Sequence, residues 1–369
     1  MNVTVIGAGN LGLAMAAHLS KCGNNVTLWN RSRQTIEKLI KTHTIHCQGV
    51  IEGPVEIAQV TDDIGKAVEN PDVIIITTPA NSHRFLAEII GKNIRTETII
   101  VLNPGRTFGA LEFQQVYSEY NKEYKQTIAE TQTTIHVCRK TGEDGVNIIA
   151  LKLDVLISTF DHNENSAIIS KLPECLQKYL MPAKSMIETS IGNVGMILHC
   201  APLLLNAGWT ENQDKIYKYY YDGITPTVGR LIEKIDKERV SVSRELGYEV
   251  ESAKDWMKRT YNIEGETLYE CIQNNEAYKT IDAPNTLEHR YIFEDIPHGL
   301  VALESVGKKL GLDMKNTSLI IDLASSLMEV DFRKIGRNLN DVLKGKDSDD
   351  VRALFGFNIY LKEAEKCLL

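Results

Sequence analysis

No stretch of this chain is long and apolar enough to suggest a membrane span. The most apolar run, Met196–Leu205, is about half the length needed to cross a bilayer and contains His199. Also lacking are the basic start, apolar core and small-residue cleavage site of a secretory signal, since Met1 leads almost directly into the strand-like Val3–Ile6. A basic excess is missing too. Lys and Arg number 41 against 49 Asp and Glu, a formal charge of −8, so no global positive field exists to hold nucleic acid or anionic lipid. The seven cysteines are an odd number with no CxxC pair, which fits reduced thiols better than a disulfide framework or a zinc site. The histidines show no HExxH or other ligand spacing, so no metal is expected. Together these absences describe a cytoplasmic protein with neither a nucleic-acid nor a membrane partner. No coiled-coil seam, repeat or low-complexity tract is legible either, which leaves a homodimer as an open option.

What is present is an ordinary globular balance over 369 residues, 43% hydrophobic and 24% charged, enough for two domains. In the first half, short β-branched runs at Val3–Ile6, Val26–Trp29, Val73–Thr77 and Thr98–Leu102 alternate with amphipathic segments. That alternation predicts an α/β fold, a Rossmann-type doubly wound parallel sheet. Thr133–Arg139 and Val146–Leu151 flank a turn-like Thr141–Gly145, predicting a hairpin added to the sheet as a mixed edge. Beyond about Lys184 helical periodicity dominates, in Thr189–Ala207, Pro226–Leu246, Ile296–Leu310 and Leu319–Glu329. The expected division is therefore a dinucleotide-binding domain over 1–185 and a mostly α-helical substrate domain over 186–369. The polar run Lys344–Asp350 reads as a loop before a last short helix.

Val3–Ile6 runs into Gly7-Ala8-Gly9-Asn10-Leu11-Gly12, a GxGxxG between a strand and a helix. Gly7 permits the turn, Gly9 lets backbone approach a pyrophosphate, and Gly12 lets the helix pack on the strand, with phosphate on the free amides of the helix start. The second strand ends Asn30-Arg31-Ser32-Arg33, where an NAD site would place a carboxylate. Asn30 removes the charge that repels a 2′-phosphate and the next three residues offer donors; the alternative is a solvated strand end. NADP(H) is thus the expected cofactor, with NAD(H) open. Thr77-Thr78-Pro79-Ala80 and Leu102-Asn103-Pro104-Gly105 follow strands and belong at the carboxyl edge of the sheet, where Pro79, Ala80 and Asn103 either face the cofactor or simply end strands.

In the second half, Gly192, Gly195 and His199 fall on one helical face, bare except for the imidazole, so His199 is either a satisfied core residue or a catalytic group. Arg290 and Asp295, five residues apart, suit a carboxylate clamp and an imidazole partner, or form a surface ion pair. Thr225 before Pro226 reads first as a helix cap and second as a pocket residue, and Asn193 joins the candidates for substrate binding.

Taken in order, Ile6–Asn10, Leu102–Gly105 with Gly109–Phe113, Ala129–Thr131, Leu198-His199 with Leu204–Ala207, Gly223–Pro226, Arg290-Tyr291 through Glu294-Asp295, and Asp331–Lys334 resemble the opine dehydrogenases, the octopine/nopaline family, along nearly the whole chain. The resemblance implies NAD(P)H-dependent reductive condensation of an amino acid with an α-keto acid, pyruvate above all. It also implies His199 as the catalytic histidine, Asp295 as its partner and Arg290 as the binder of a substrate carboxylate. Cys200 departs from the proline that often follows the histidine, and Asn30 from the Asp of NAD-using relatives. Reductases of glycerol 3-phosphate or ketopantoate type are the nearest alternative, but they use a Lys at the start of the second-domain helix, and Met186–Asn193 has none. A non-catalytic NADP(H)-sensing regulator is the alternative from another class.

Overall fold

Val73-Ile74-Ile75-Ile76 is buried along its whole length because alternate side chains enter two separate cores. Val73 and Ile75 pack with Leu13, Ala16 and Leu19, whereas Ile74 and Ile76 pack with Leu86, Ile90 and Phe113. A continuous apolar run of this kind belongs to a parallel sheet covered by helices on both faces. The computed structural model describes residues 1–212 and 214–355 and divides after Ser190 into two units.

The strands of the first unit are β1 (Asn2–Ile6), β2 (Asn25–Trp29), β3 (Thr44–Gly49), β4 (Gly53–Glu56), β5 (Gln59–Thr61), β6 (Val73–Ile76), β7 (Ile99–Leu102), β8 (Thr127–Thr131), β9 (His136–Lys140), β10 (Gly145–Leu151), β11 (Val155–Thr159) and β12 (Leu180–Pro182). The main sheet runs β12-β11-β8-β7-β6-β1-β2-β5. Its six strands from β5 to β8 are parallel, and β11 joins β8 in the antiparallel sense. Strand order reverses at β1, which lies between β2 and β6, and ligands gather beyond the carboxyl ends of strands at such a point.

The predicted hairpin forms, as β9 and β10, but not at the edge of the main sheet. It joins β3 and β4 in a separate sheet of order β4-β3-β10-β9, and the mixed edge of the main sheet is made by β11 instead. The reason lies in α1 (Asn10–Lys21), whose Gly12–Leu19 are all buried. A helix apolar on every side needs cover on two sides, and Cys47, Val55, Cys138 and Ile148 of the second sheet share a core with it.

The second unit is helical, with its longer helices at Gly195–Leu205, Pro226–Glu245, Ala253–Tyr261, Val301–Lys309 and Lys315–Met328. Thr225 caps the longest of these, its hydroxyl accepting from Val228 N at 3.4 Å ahead of Pro226. Glu238 on that helix accepts from the amides of Asn316 and Thr317, at 2.8 Å each, and so satisfies the start of Lys315–Met328. The single helix expected over Thr189–Ala207 is broken into Met186–Ile191 and Gly195–Leu205. Gly192 weakens the helix there, and Asn193 Oδ1 accepts from Gly195 N at 2.9 Å to start a new one. Likewise Ile296–Leu310 opens with a π-helical turn over Ile296–Leu300 before Val301. Lys344–Asp350 is loop only in part, since Asp347 caps a helix over Ser348–Ala353; Cys367 lies outside the described residues. Among the described residues, no helix is long and apolar enough to cross a membrane.

Candidate active site

The turn after β1 is shaped by three glycines with three different constraints. Gly7 has φ +104°, and a Cβ there would lie 2.6 Å from Thr78 Cγ2. A Cβ on Gly12 would lie 1.6 Å from Gly7 O, so only glycine lets α1 pack against the turn. A Cβ on Gly9 would meet nothing within 4 Å, which leaves open space in front of the backbone. Gly9 is also the N-cap of α1 and has no side chain to cap the amides of Asn10, Leu11 and Gly12. Open space before uncapped amides fits a dinucleotide's pyrophosphate.

A cavity of about 460 Å³ opens beside this turn, and Gly7, Gly9, Asn30, Arg31, Ser32 and Pro79 of the sequence-predicted set line it. Asn30 braces the turn, its Oδ1 accepting from Ala8 N at 3.1 Å and its Nδ2 donating to Ser32 O at 3.0 Å. Arg31 stands over the ring of Phe85, 5.4 Å from its centroid. Arg33 lies apart from these, paired with Asp62 at 2.9 Å on the surface. Asn10 presents Oδ1 to Lys140 N at 2.9 Å, and Ala80 is buried in a short turn after Pro79. Asn103 is buried and accepts from the Thr131 hydroxyl at 3.0 Å, which ties β7 to β8. Sequence reasoning missed Thr35, Phe85 and Lys140 in the lining. Lys140 comes from β9, and no local pattern marks a strand that distant in sequence as a neighbour of the turn.

In the second unit His199 and Asp295 meet. His199 Nδ1 lies 2.7 Å from Asp295 Oδ2, and the Asp295 side chain is only 3% exposed. Since Nδ1 donates to the carboxylate, Nε2 carries the lone pair of the neutral ring, and the buried anion stabilises the imidazolium when Nε2 takes a proton. The ring is fixed further by stacking on Tyr291, at 3.9 Å and 12°, and the Tyr219 hydroxyl donates to the His199 carbonyl at 2.5 Å. Gly195 sits one turn before His199, where a Cβ would approach Cε1 to 3.3 Å, but Gly192 lies in the helix break and does not share the face. Arg290, 57% exposed, begins the short helix Arg290–Phe293, and its Nε is 4.0 Å from Glu294. Thr225 uses its hydroxyl oxygen as a helix cap, and Asn193 Oδ1 accepts from Gly195 N at the start of Gly195–Leu205. No local sequence pattern marks Tyr291 for this role, because its stacking depends on two helices meeting.

Burial favours the neutral form of several neighbours. His289 is lowered by desolvation and then by Arg290, and the Cys200 thiol is pushed up by burial and then by Asp295. Cys200 is therefore an inert packing group beside the pair, its Sγ 3.4 Å from Tyr291 O.

The model of the NAD/NADP octopine/nopaline dehydrogenase alpha-helical domain matches residues 182–328, and that of the NAD-dependent glycerol-3-phosphate dehydrogenase N-terminus matches residues 2–139. An opine dehydrogenase of Arthrobacter sp. (strain 1C) is 35% identical over 351 residues, 95% of this chain and 97% of the relative. An octopine dehydrogenase solved with NADH and agmatine superposes with a TM-score of 0.76 at 18% identity, covering 97% of this chain and 98% of that one. A yersinopine dehydrogenase with NADP+ bound gives 0.73 at 16% identity, covering 96% and 97%. At such identities the superpositions speak for the fold.

Proposed function

The chain belongs to the opine dehydrogenase family, and from that premise we propose that it reduces the imine formed between an α-keto acid, pyruvate, and the amine of an L-amino acid, giving an N-(1-carboxyalkyl)amino acid. It is an NAD(P)-dependent oxidoreductase of the CH–NH class. The observation that carries the reading is the 2.7 Å contact between His199 and buried Asp295. A bound nicotinamide dinucleotide supplies the hydride. His199 Nε2 gives a proton as the carbinolamine loses water, or takes one from the incoming ammonium. Asp295 keeps the tautomer and offsets the charge of the imidazolium. Arg290 grips a substrate carboxylate through its planar fork and so orients the reacting carbon. Asn193 acts through the helix start, where its Oδ1 accepts from Gly195 N.

The preferred cofactor is NADPH. Asn30 carries no charge to repel a 2′-phosphate, and Arg31, Ser32, Thr35 and Lys140 line the same cavity and offer donors to one. Arg33 is left out of this role because Asp62 holds it.

The test is oxidation of NADPH and NADH with pyruvate, an amino-acid panel, or both. Turnover that requires keto acid and amine together supports the reading. Cofactor binding without turnover across the panel would instead indicate a sensor, and oxidation by dihydroxyacetone phosphate or ketopantoate alone would indicate a reductase of that class.

A further inference from the structure

The far end of α1 carries chemistry that the dinucleotide turn does not use. His18 stands in the last turn of the helix, Cys22 follows as its C-cap, and Cys175 comes from the short helix Glu174–Gln177. One ligand atom from each residue lies within 4.8 Å of the other two. Spacing gave no hint of this group, since Cys22 and Cys175 come from opposite ends of the first unit's sequence.

We propose that His18, Cys22 and Cys175 bind one divalent ion of the zinc class, tetrahedrally, with water in the fourth position. Two thiolates and an imidazole are the donor set that such an ion takes. His18 Nδ1 is 3.1 Å from Nε2 of buried His136, and its ring meets His136 and Tyr179 edge to face, with centroids 5.2 Å and 5.9 Å away. A metal-binding histidine ordinarily has its second nitrogen fixed by a hydrogen bond, and the contact with His136 leaves Nε2 for the metal. The helix end favours a cation, because the carbonyl end of α1 carries the negative pole of the dipole. Cys22 is exposed and Cys175 partly so, which opens a path for entry and for the fourth ligand. Two thiol protons leave as the ion binds, so the ion's charge is balanced by two thiolates. The site clips the end of the dinucleotide helix to Glu174–Gln177, about 18 Å along α1 from the glycine turn.

The test uses the whole protein, kept reduced by a phosphine that does not bind metal, and Co2+ as the probe. The expected result is one equivalent of Co2+ per chain, with a thiolate-to-cobalt charge-transfer band and the visible bands of a tetrahedral ion, all displaced by Zn2+. Zn2+ at a hundredfold excess over its Kd should also raise the melting temperature by about 5 °C. Cys22→Ser, at an exposed position, should weaken binding at least about tenfold and cut the charge-transfer band, and Cys175→Ser should do the same. Three results would overturn the proposal: Co2+ taken up without a thiolate band, a band unchanged in Cys22→Ser, or reduced protein that binds no metal but forms a Cys22–Cys175 disulfide in air. None of these readouts depends on turnover, so they stand apart from the test of the dehydrogenase reading.

Discussion

The two units build their sites by opposite means. In the first, the cradle is mostly backbone: of three glycines within six residues, Gly7 and Gly12 leave no room for a side chain and Gly9 leaves open space before the helix amides. In the second, the proposed chemistry rests on two side chains 96 residues apart, held by burial and by an aromatic ring. A backbone site is written in spacing and can be read locally. A side-chain pair exists only after helices pack, so spacing offers His199 and Asp295 as separate candidates without showing that they meet.

The comparison is sharpest in what each substitution should damage. His199→Ala should lower kcat by about 10²- to 10⁴-fold, the usual worth of a positioned acid–base group, while the cofactor dissociation constant stays nearly unchanged. Steady-state kinetics with cofactor binding measured separately checks both halves, and a mutant that turns over normally would remove the histidine from the mechanism. In the first unit the wild type should prefer NADPH to NADH by about 10- to 100-fold in kcat/KM, the worth of a charge-assisted contact of roughly 1.5–3 kcal/mol, with solvent exposure of Arg31 drawing it toward the lower end. Asn30→Asp with Arg31→Ala should move the preference toward NADH. Some general loss is expected as well, because Asp cannot donate to Ser32 O as Asn30 does. A wild type that already favours NADH would contradict this reading.

Acid should expose a dependence on buried histidines in both units, since burial also lowers His136 of the first unit to about 3. His298 is buried in the π-helical turn after Asp295, and burial, then Arg337, lower its pKa to about 3. The unfolded chain takes up a proton near pH 6.5 and the folded one does not until about 3, so stability is full above 6.5 and falls with pH between the two, by up to about tenfold per pH unit in the folding equilibrium. Glu304, lowered to about 2 by hydrogen bonds from Arg333, Lys308 and Ser318 that outweigh its burial, adds a loss that begins only below its ordinary value of 4.5. Denaturant melts from pH 7 to 4 check this, and a flat profile between 6.5 and 5 would exclude the His298 contribution. The smallest effect is expected of Arg290→Lys, which keeps the charge and loses the fork. It should raise KM for one carboxylate substrate several-fold with kcat little changed. Unchanged KM for both substrates would place Arg290 outside the site.

The glycine turn, the parallel order of the strands that follow it and the helical second half were all legible, because each rests on local periodicity. The second sheet was not. The hairpin was visible in sequence, but its partner β3 is parallel to β10 and about a hundred residues distant, and nothing local told that edge from the edge of the main sheet. Helix ends failed for a similar reason: apolar periodicity continues through Gly192-Asn193, and only the hydrogen bond from Gly195 N to Asn193 Oδ1 shows the break. Spacing alone left His199 open between a core and a catalytic role, and family resemblance supplied the pairing with Asp295 that the fold brings within 2.7 Å.

The most direct test of the account follows the hydride. NADPH carrying deuterium in the transferred position is incubated with the protein, pyruvate and the amino acid that gives turnover, and the product is analysed by mass spectrometry. The account predicts a secondary-amine dicarboxylate that has lost the keto oxygen as water and carries one deuterium on the former keto carbon. Deuterium found in lactate, with the amino acid recovered unchanged, would contradict it.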